Sequence, residues 1–252
     1  EGRQILSVKV NWARTVEPLS LARFSKELRG TTIDKISRAG KWMLFSLSSG
    51  RTLMVHLRMS GSFSMSPGAY DRIELKLSDG RALYYRDPRK FGRWKLVADP
   101  EVVLGKLGPD ALTPRFSLNY FSDAVGRRHR MIKPLLLDQS IVAGLGNIYA
   151  DEALWEARIH PERLSDSLSA VELAALFKAI RQVLKVGVRN RGTSLGDGKT
   201  NYRDVEGSSG GHREKVKAYG RGGKPCERCG SRLEKTVVAQ RGTTFCPKCQ
   251  AI

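Results

Sequence analysis

Apolar and polar positions alternate along the first part of the chain, then switch to a helical spacing. Ile5-Leu-Ser-Val-Lys-Val10, Trp42-Met-Leu-Phe-Ser-Leu47 and Ile73-Glu-Leu-Lys-Leu77 carry apolar residues at period two, the spacing that puts side chains on one face of a strand. Leu47-Ser-Ser-Gly-Arg-Thr-Leu53 and Leu77-Ser-Asp-Gly-Arg-Ala-Leu83 share a pattern, with a small polar residue and Gly between apolar runs. That is the chemistry of a tight hairpin turn. Residues 1 to about 96 therefore read as antiparallel β-structure, a sandwich or a barrel. Pro100, Pro109 and Pro114 with Gly105 and Gly108 mark the following boundary. Beyond it, Ser169-Ala-Val-Glu172 has the form of a capping box, and Leu173, Leu176, Phe177, Ile180, Val183 and Leu184 line one helical face. The spacing predicts a helix over about 170–186, preceded by shorter helices at Met131–Leu137 and Asn147–Ala157 around the glycine-rich Ala143-Gly-Leu-Gly146. Periodicity is lost from Gly187 to Arg213, which reads as a long loop; loops of that length are functional or disordered. The fold class is α+β and multidomain.

Charge narrows the choice of partner. Lys and Arg outnumber Asp and Glu by 44 to 25, a formal charge of +19, which points to a polyanion. Nucleic acid leads, because phosphate neutralisation and counterion release supply its non-specific affinity. An anionic membrane is the alternative, but the chain has no apolar run of spanning length and no signal peptide, and its cations are spread out. With 40% hydrophobic residues in 252, it can bury a core in more than one domain. All four cysteines lie near the end, as Cys226-x-x-Cys229 and Cys246-x-x-Cys249. Two such turns form a tetrahedral S₄ site that suits one zinc ion; a pair of disulfides is the other reading. Four thiolates leave no open coordination position, so the zinc is expected to be structural. Cysteines confined to such a site suit a reducing cytosol.

Six segments fall in the order of one family: His56-Leu-Arg-Met-Ser-Gly61, Asp87-Pro-Arg-Lys-Phe-Gly92, Leu145-Gly-Asn-Ile-Tyr-Ala-Asp-Glu-Ala-Leu154, Ile159-His-Pro161, Tyr219-Gly-Arg221 and Gln240-Arg241. Together with the terminal cysteines, the chain resembles the formamidopyrimidine-DNA glycosylase/endonuclease VIII family over essentially its whole length. The resemblance implies an N-terminal antiparallel β-sandwich over 1–112 and a helix–two-turn–helix domain over 113–215 that includes a lesion-recognition loop at 187–213. A zinc-ribbon β-hairpin follows over 216–252. It also implies double-stranded DNA as partner, excision of an oxidised base taken out of the stack, backbone cleavage by β,δ-elimination, and a monomer on the nucleoid in a bacterial cytoplasm.

By the same resemblance, Met59, Arg89 and Phe91 match the three residues that fill the gap left by the everted nucleotide. Met and Phe are apolar wedges, and Arg can pair with the orphaned base. Read without the family, Met59 and Phe91 are core residues and Arg89 a surface cation. His56, Lys41, Asn147 and Arg241 match the phosphate clamp, and Lys41 the active-site lysine of the β-domain. Asn147 also suits a helix cap, and a helix beginning there points N–H groups at a phosphate. Lys133 aligns with a lysine near the lesion pocket, and Glu152 with a helix acid beside the reaction centre, or else a solvated carboxylate. The full Met…Arg-x-Phe set and the long loop favour the purine-directed branch.

The family's nucleophile is an N-terminal proline followed by a glutamate. A secondary amine at that place attacks the sugar and forms a Schiff base. This chain begins Glu1-Gly-Arg-Gln-Ile-Leu, which matches the family some way after that opening, and its first proline, Pro18, is internal. The sequence is expected to be part of a longer gene product, and the 252 residues alone to bind DNA without cleaving it. A non-catalytic damaged-DNA binder and an oxidised-pyrimidine glycosylase are the alternatives.

Overall fold

The computed structural model describes all residues except 194–204 and 209. The chain forms two compact units: Glu1–Gly105 with the described part of Gly192–Gly211, and Lys106–Arg191 with His212–Ile252.

The first unit contains β1 (Arg3–Val10), α1 (Leu21–Leu28), β2 (Thr32–Ala39), β3 (Trp42–Leu47), β4 (Thr52–His56), β5 (Ser62–Ser64), β6 (Asp71–Leu77), β7 (Ala82–Arg86), β8 (Arg93–Val97) and the short α2 (Glu101–Leu104). The strands are hydrogen-bonded in the order β5-β7-β6-β1-β2-β3-β4-β8, antiparallel throughout. β1 pairs with β2 only at Arg3 and Gln4 and follows β6 from Ile5 to Val10, with a register shift between Ile5 and Ser7. That break at β1 turns one ribbon of strands into the two layers of a sandwich. Ile5, Phe24, Leu53, Val55, Ile73, Leu75, Tyr85 and Trp94 fill the space between them.

Both predicted hairpins form with the same bonds. Leu47 N–H donates to the Arg51 carbonyl and Leu77 N–H to that of Arg81, each at 2.9 Å. Gly50 and Gly80 sit at φ +75° and +81°, the left-handed region where a side chain would be strained. The reading of residues 1–96 as wholly β is corrected at α1. There the Ser20 hydroxyl accepts from Arg23 N–H, and Phe24 and Leu28, one turn apart, enter the core. Two turns of helix carry too few apolar repeats to stand out from the flanking strands.

The second unit contains α3 (Leu118–Gly126), α4 (Ile132–Leu137), α5 (Asn147–Ala157), α6 (Ala170–Arg189), β9 (Glu234–Val238) and β10 (Arg241–Phe245). Its core gathers Phe116, Phe121, Leu135, Leu136, Leu154, Leu176 and Ile180. The capping box predicted at Ser169 and Glu172 is present with both of its bonds. α6 continues through Gly187, so the predicted loop begins later than its sequence suggests. A Cβ at Gly187 would lie 2.3 Å from the Tyr149 hydroxyl; this glycine serves close helix packing rather than a turn. Residues 194–204 and 209 of the predicted loop lie outside the described residues.

The cysteine-bearing tail shares its core with α5, where Trp155, Ala218, Cys226, Leu233 and Cys246 form one cluster. The Arg228 guanidinium stacks 3.8 Å from the Trp155 ring and bonds to the Glu156 carbonyl and carboxylate. The ribbon thus belongs to the same compact unit as the helices. No described helix is long and apolar enough to cross a membrane.

Candidate functional site

In the first unit the candidate residues sit at strand ends and in the loops that follow. His56 ends β4, between Trp42 at the start of β3 and Arg93 at the start of β8. The Trp42 ring meets it edge-on at 5.0 Å and 87°, and Arg58 N–H donates to its Nδ1 at 3.0 Å. An Nδ1 that accepts leaves the proton of the neutral ring on Nε2, a donor suited to a phosphate oxygen. Burial, then the charges of Arg58 and Lys41, push its pKa down to about 4. Because the folded value lies below the ordinary 6.5, the stability contributed by the neutral ring is full above pH 6.5 and is lost as pH falls through about 4. NMR titration of the ring nitrogens is expected to give a midpoint near 4; a midpoint at or above the ordinary value contradicts this environment. Lys41 is exposed in the turn between β2 and β3.

Met59 and Phe91 are 67% and 46% exposed, which removes the reading of either as a core residue. Arg89 is also exposed, and its guanidinium lies 5.1 Å from the centre of the Phe91 ring. Both loops bend sharply beside these residues, with Arg58 at φ +57° and Lys90 at φ +60°. Lys90 is held back by the Trp12 ring, 3.9 Å from its Nζ. Water-facing Met and Phe side chains forgo burial that is favourable at ~25 cal/mol per Å², and such pairs mark contact surfaces.

In the second unit, one carbonyl gathers three of the candidates. Asn147 opens α5 after Gly146, and the first α5 N–H that bonds back within the helix is that of Ala150, to the Gly146 carbonyl. The N–H groups before it are the natural anion contacts of a helix N-terminus. Asn147 Nδ2 donates to the Gly242 carbonyl at 3.0 Å. Arg241, exposed, is the adjacent residue and the first of β10. The two-residue turn before it places Ala239 and Gln240 both in the left-handed region, at φ +45° and +63°. This is the hairpin turn that usually requires glycine or asparagine, and such strain is common at working sites.

Lys133 reaches the same carbonyl from α4, with Nζ 3.0 Å from Gly242 O and 2.7 Å from Thr243 Oγ1. It is fully buried and lies 2.5 Å from Asp151 Oδ1. Its ammonium is held within the protein by Asp151 and the hairpin. Burial pulls its pKa down and pushes that of Asp151 up to about 6. Asp151 Oδ2 accepts from Thr244 N–H at 3.0 Å.

Glu152 is likewise bonded within the unit. Its oxygens accept from the N–H groups of Lys217, Ala218 and Tyr219 at 2.7, 2.8 and 2.8 Å, and it is 4% exposed. Burial removes the alternative reading of a solvated carboxylate. Glu152 ties the turn leading into Tyr219-Gly-Arg221 to α5, and burial raises its pKa above the ordinary value. His160 of the Ile159-His-Pro161 segment is buried edge-on against Phe245, 4.5 Å between ring centres.

The four cysteine sulfurs lie within 4.8 Å of one another, compatible with one ion at the ~2.3 Å bond length of zinc thiolates. Gly230 N–H closes the first Cys-x-x-Cys turn on the Cys226 carbonyl, and in the second Cys249 N–H is directed at Cys246 Sγ. The donor set fits zinc, and it would fix the base of the hairpin that carries Arg241. Sequence reasoning missed Asp151, Asp87 and Thr243. The first lies in a run, Ala150 to Trp155, that is buried throughout, as in a helix covered on more than one side.

Three family descriptions cover most of the chain: the N-terminal domain of formamidopyrimidine-DNA glycosylase over residues 1–94, its H2TH domain over 107–198, and the zinc finger found in FPG and IleRS over 223–252. The formamidopyrimidine-DNA glycosylase of Protochlamydia amoebophila is 42% identical over 99% of this chain and 92% of its own. That of a Roseiflexus species is 45% identical over 99% and 93%. Among solved structures, MutM (Fpg) of Thermus thermophilus superposes with a TM-score of 0.91 at 39% identity, covering 99% of this chain and 92% of that one. Lactococcus lactis Fpg in complex with abasic-site DNA does so at 0.91 and 35% identity, covering 100% and 93%. The ordered motifs, the sandwich, the helical unit and the zinc finger agree with these likenesses along the whole chain: it belongs to the formamidopyrimidine-DNA glycosylase family.

Proposed function

We propose that the protein excises oxidised purines, 8-oxoguanine and formamidopyrimidines, from double-stranded DNA and then cleaves the backbone at the abasic site. The observation that carries this reading is the exposure of Met59, Arg89 and Phe91 together on two loops of one unit. A base held inside the duplex cannot be reached by the chemistry, so it must leave the stack and the gap must be filled. Met59 occupies the vacated space, Phe91 wedges the neighbouring step, and Arg89 bonds to the orphaned base. His56, Lys41, Asn147 and Arg241 grip the phosphates around the lesion. Relatives give independent support: solved complexes of Lactococcus lactis Fpg contain a Fapy-dG DNA, and one of MutM a carbocyclic 8-oxo-G DNA. We further propose a monomer acting on the chromosome in the bacterial cytoplasm, with one structural zinc.

The covalent step belongs in the family to an N-terminal proline, whose amine attacks the sugar C1′ and yields a Schiff base that leads to β,δ-elimination. The polypeptide Glu1–Ile252 does not carry that residue at its N-terminus. On its own it is expected to bind an 8-oxoguanine:C duplex and leave both strands intact on a denaturing gel. Nicking by this polypeptide contradicts the assignment of the nucleophile. With the family's opening in place, excision is expected to favour 8-oxoguanine:C over a thymine-glycol duplex. The reverse preference moves the protein to the pyrimidine-directed reading.

A further inference from the structure

We propose that Asp87 is the positioning residue that fixes the loop carrying Met59 against the loop carrying Arg89 and Phe91. The inference rests on the reading of these three side chains as the group that fills the gap. Asp87 is 1% exposed, and among the described residues no cation pairs with its carboxylate. Its carboxylate instead joins the loops: Oδ1 accepts from the Ser60 hydroxyl, next to Met59, and Oδ2 accepts from Gly92 N–H, next to Phe91, at 2.7 Å. The backbone of Asp87 is pinned as well, with its carbonyl taken by Arg72 Nε at 2.9 Å and its N–H given to the Tyr70 carbonyl at 3.1 Å.

A second observation places the same two loops on one point of the core, the Tyr85 hydroxyl, which donates to Asp87 Oδ2 at 3.5 Å. A Cβ at Gly61 would lie 2.5 Å from the Tyr85 hydroxyl, and one at Gly92 1.6 Å from it. Each loop thus uses a glycine beside its functional residue to close down on the same oxygen. Tyr85 itself is fully buried, with its ring 5.7 Å from Phe63 and 5.3 Å from Trp94. Loops are ordinarily the mobile parts of a fold, and three side chains that must enter one base-sized gap need placement to within about half an ångström. A carboxylate shared between the loops, seated on a tyrosine rooted in the core, supplies that coupling.

The test uses Asp87→Asn, which keeps the volume but replaces one acceptor by a donor, and Ser60→Ala, which removes one bond without filling or emptying the core. Binding to a duplex with a tetrahydrofuran abasic analogue opposite C is compared with binding to the undamaged duplex. Both variants are expected to lose about tenfold in discrimination, with undamaged-duplex affinity held by the phosphate contacts. Amide hydrogen exchange gives a readout without DNA. Ser60→Ala is expected to speed exchange in residues 57–61 and also in 89–92, because the loops communicate through Asp87. Faster exchange in 57–61 alone, or folded variants that keep wild-type discrimination, overturns the proposal. A wild-type protein that binds both duplexes equally instead defeats the gap-filling reading itself, and the exchange result still decides whether the loops are coupled.

Discussion

Asp151→Leu is expected to lower the unfolding free energy by about 3–5 kcal/mol, because it leaves the Lys133 ammonium buried without its counter-charge. In a protein of this size that is a fall in melting temperature on the order of 10 °C, measured by calorimetry or circular dichroism. The double variant Lys133→Met/Asp151→Leu is expected to recover most of the loss, since desolvating two charges offsets much of their attraction. The pH dependence is governed by burial of the carboxyl, which outweighs the attraction of Lys133. The folded pKa of Asp151, about 6, lies above its ordinary 3.8, so its contribution to stability is full below 3.8 and falls as pH rises through about 6. Because Lys133 and Asn147 share the Gly242 carbonyl, the single variant also loosens the hairpin that presents Arg241. An Asp151→Leu protein with the wild-type melting temperature contradicts the pair's place in the core.

Removal of the zinc is the second large effect. Structural zinc contributes on the order of 10 kcal/mol to the folding of small metal-bound modules, and here the ligands Cys226, Cys229, Cys246 and Cys249 flank the strands that carry Arg241. Chelation, or Cys246→Ala, is expected to abolish the single bound zinc and weaken damaged-DNA binding by roughly 10- to 100-fold. It should also reduce the slope of log affinity against log salt by about 0.9, one phosphate contact. Metal analysis and anisotropy titrations at several salt concentrations check both points. Full affinity with an unchanged slope in the metal-free protein contradicts the view that zinc holds Arg241 in place. The sandwich should remain folded, because its core contains none of these cysteines.

The difference between what was legible in the sequence and what was not follows from how local each cause is. The hairpins at Gly50 and Gly80, the capping box at Ser169 and the metal knuckles are set by a few neighbouring residues, and the chain declares them directly. Exposure is a tertiary property. Read without the family, Met59 and Phe91 were core residues, and only the family motif marked them as surface wedges. The same limit acts in reverse at Lys133 and Glu152. The resemblance marked both, while the donors and acceptors with which the folded unit surrounds them come from remote parts of the chain. Asp87 and Asp151 passed unnoticed because their partners, Ser60 and Lys133, are remote in sequence. Helix α1 was hidden by its length, two turns within a run of strands.

The activity proposed for this fold is purine-lesion excision through a covalent sugar intermediate. The direct measurement is borohydride trapping on an 8-oxoguanine:C duplex, using a chain that bears the family's Pro-Glu opening ahead of these residues. Release of 8-oxoguanine and a covalent protein–DNA adduct are expected, both lost when the proline is replaced. A chain that binds the duplex tightly yet releases no base and forms no adduct would contradict the proposed activity, and would leave a protein that recognises damage without repairing it.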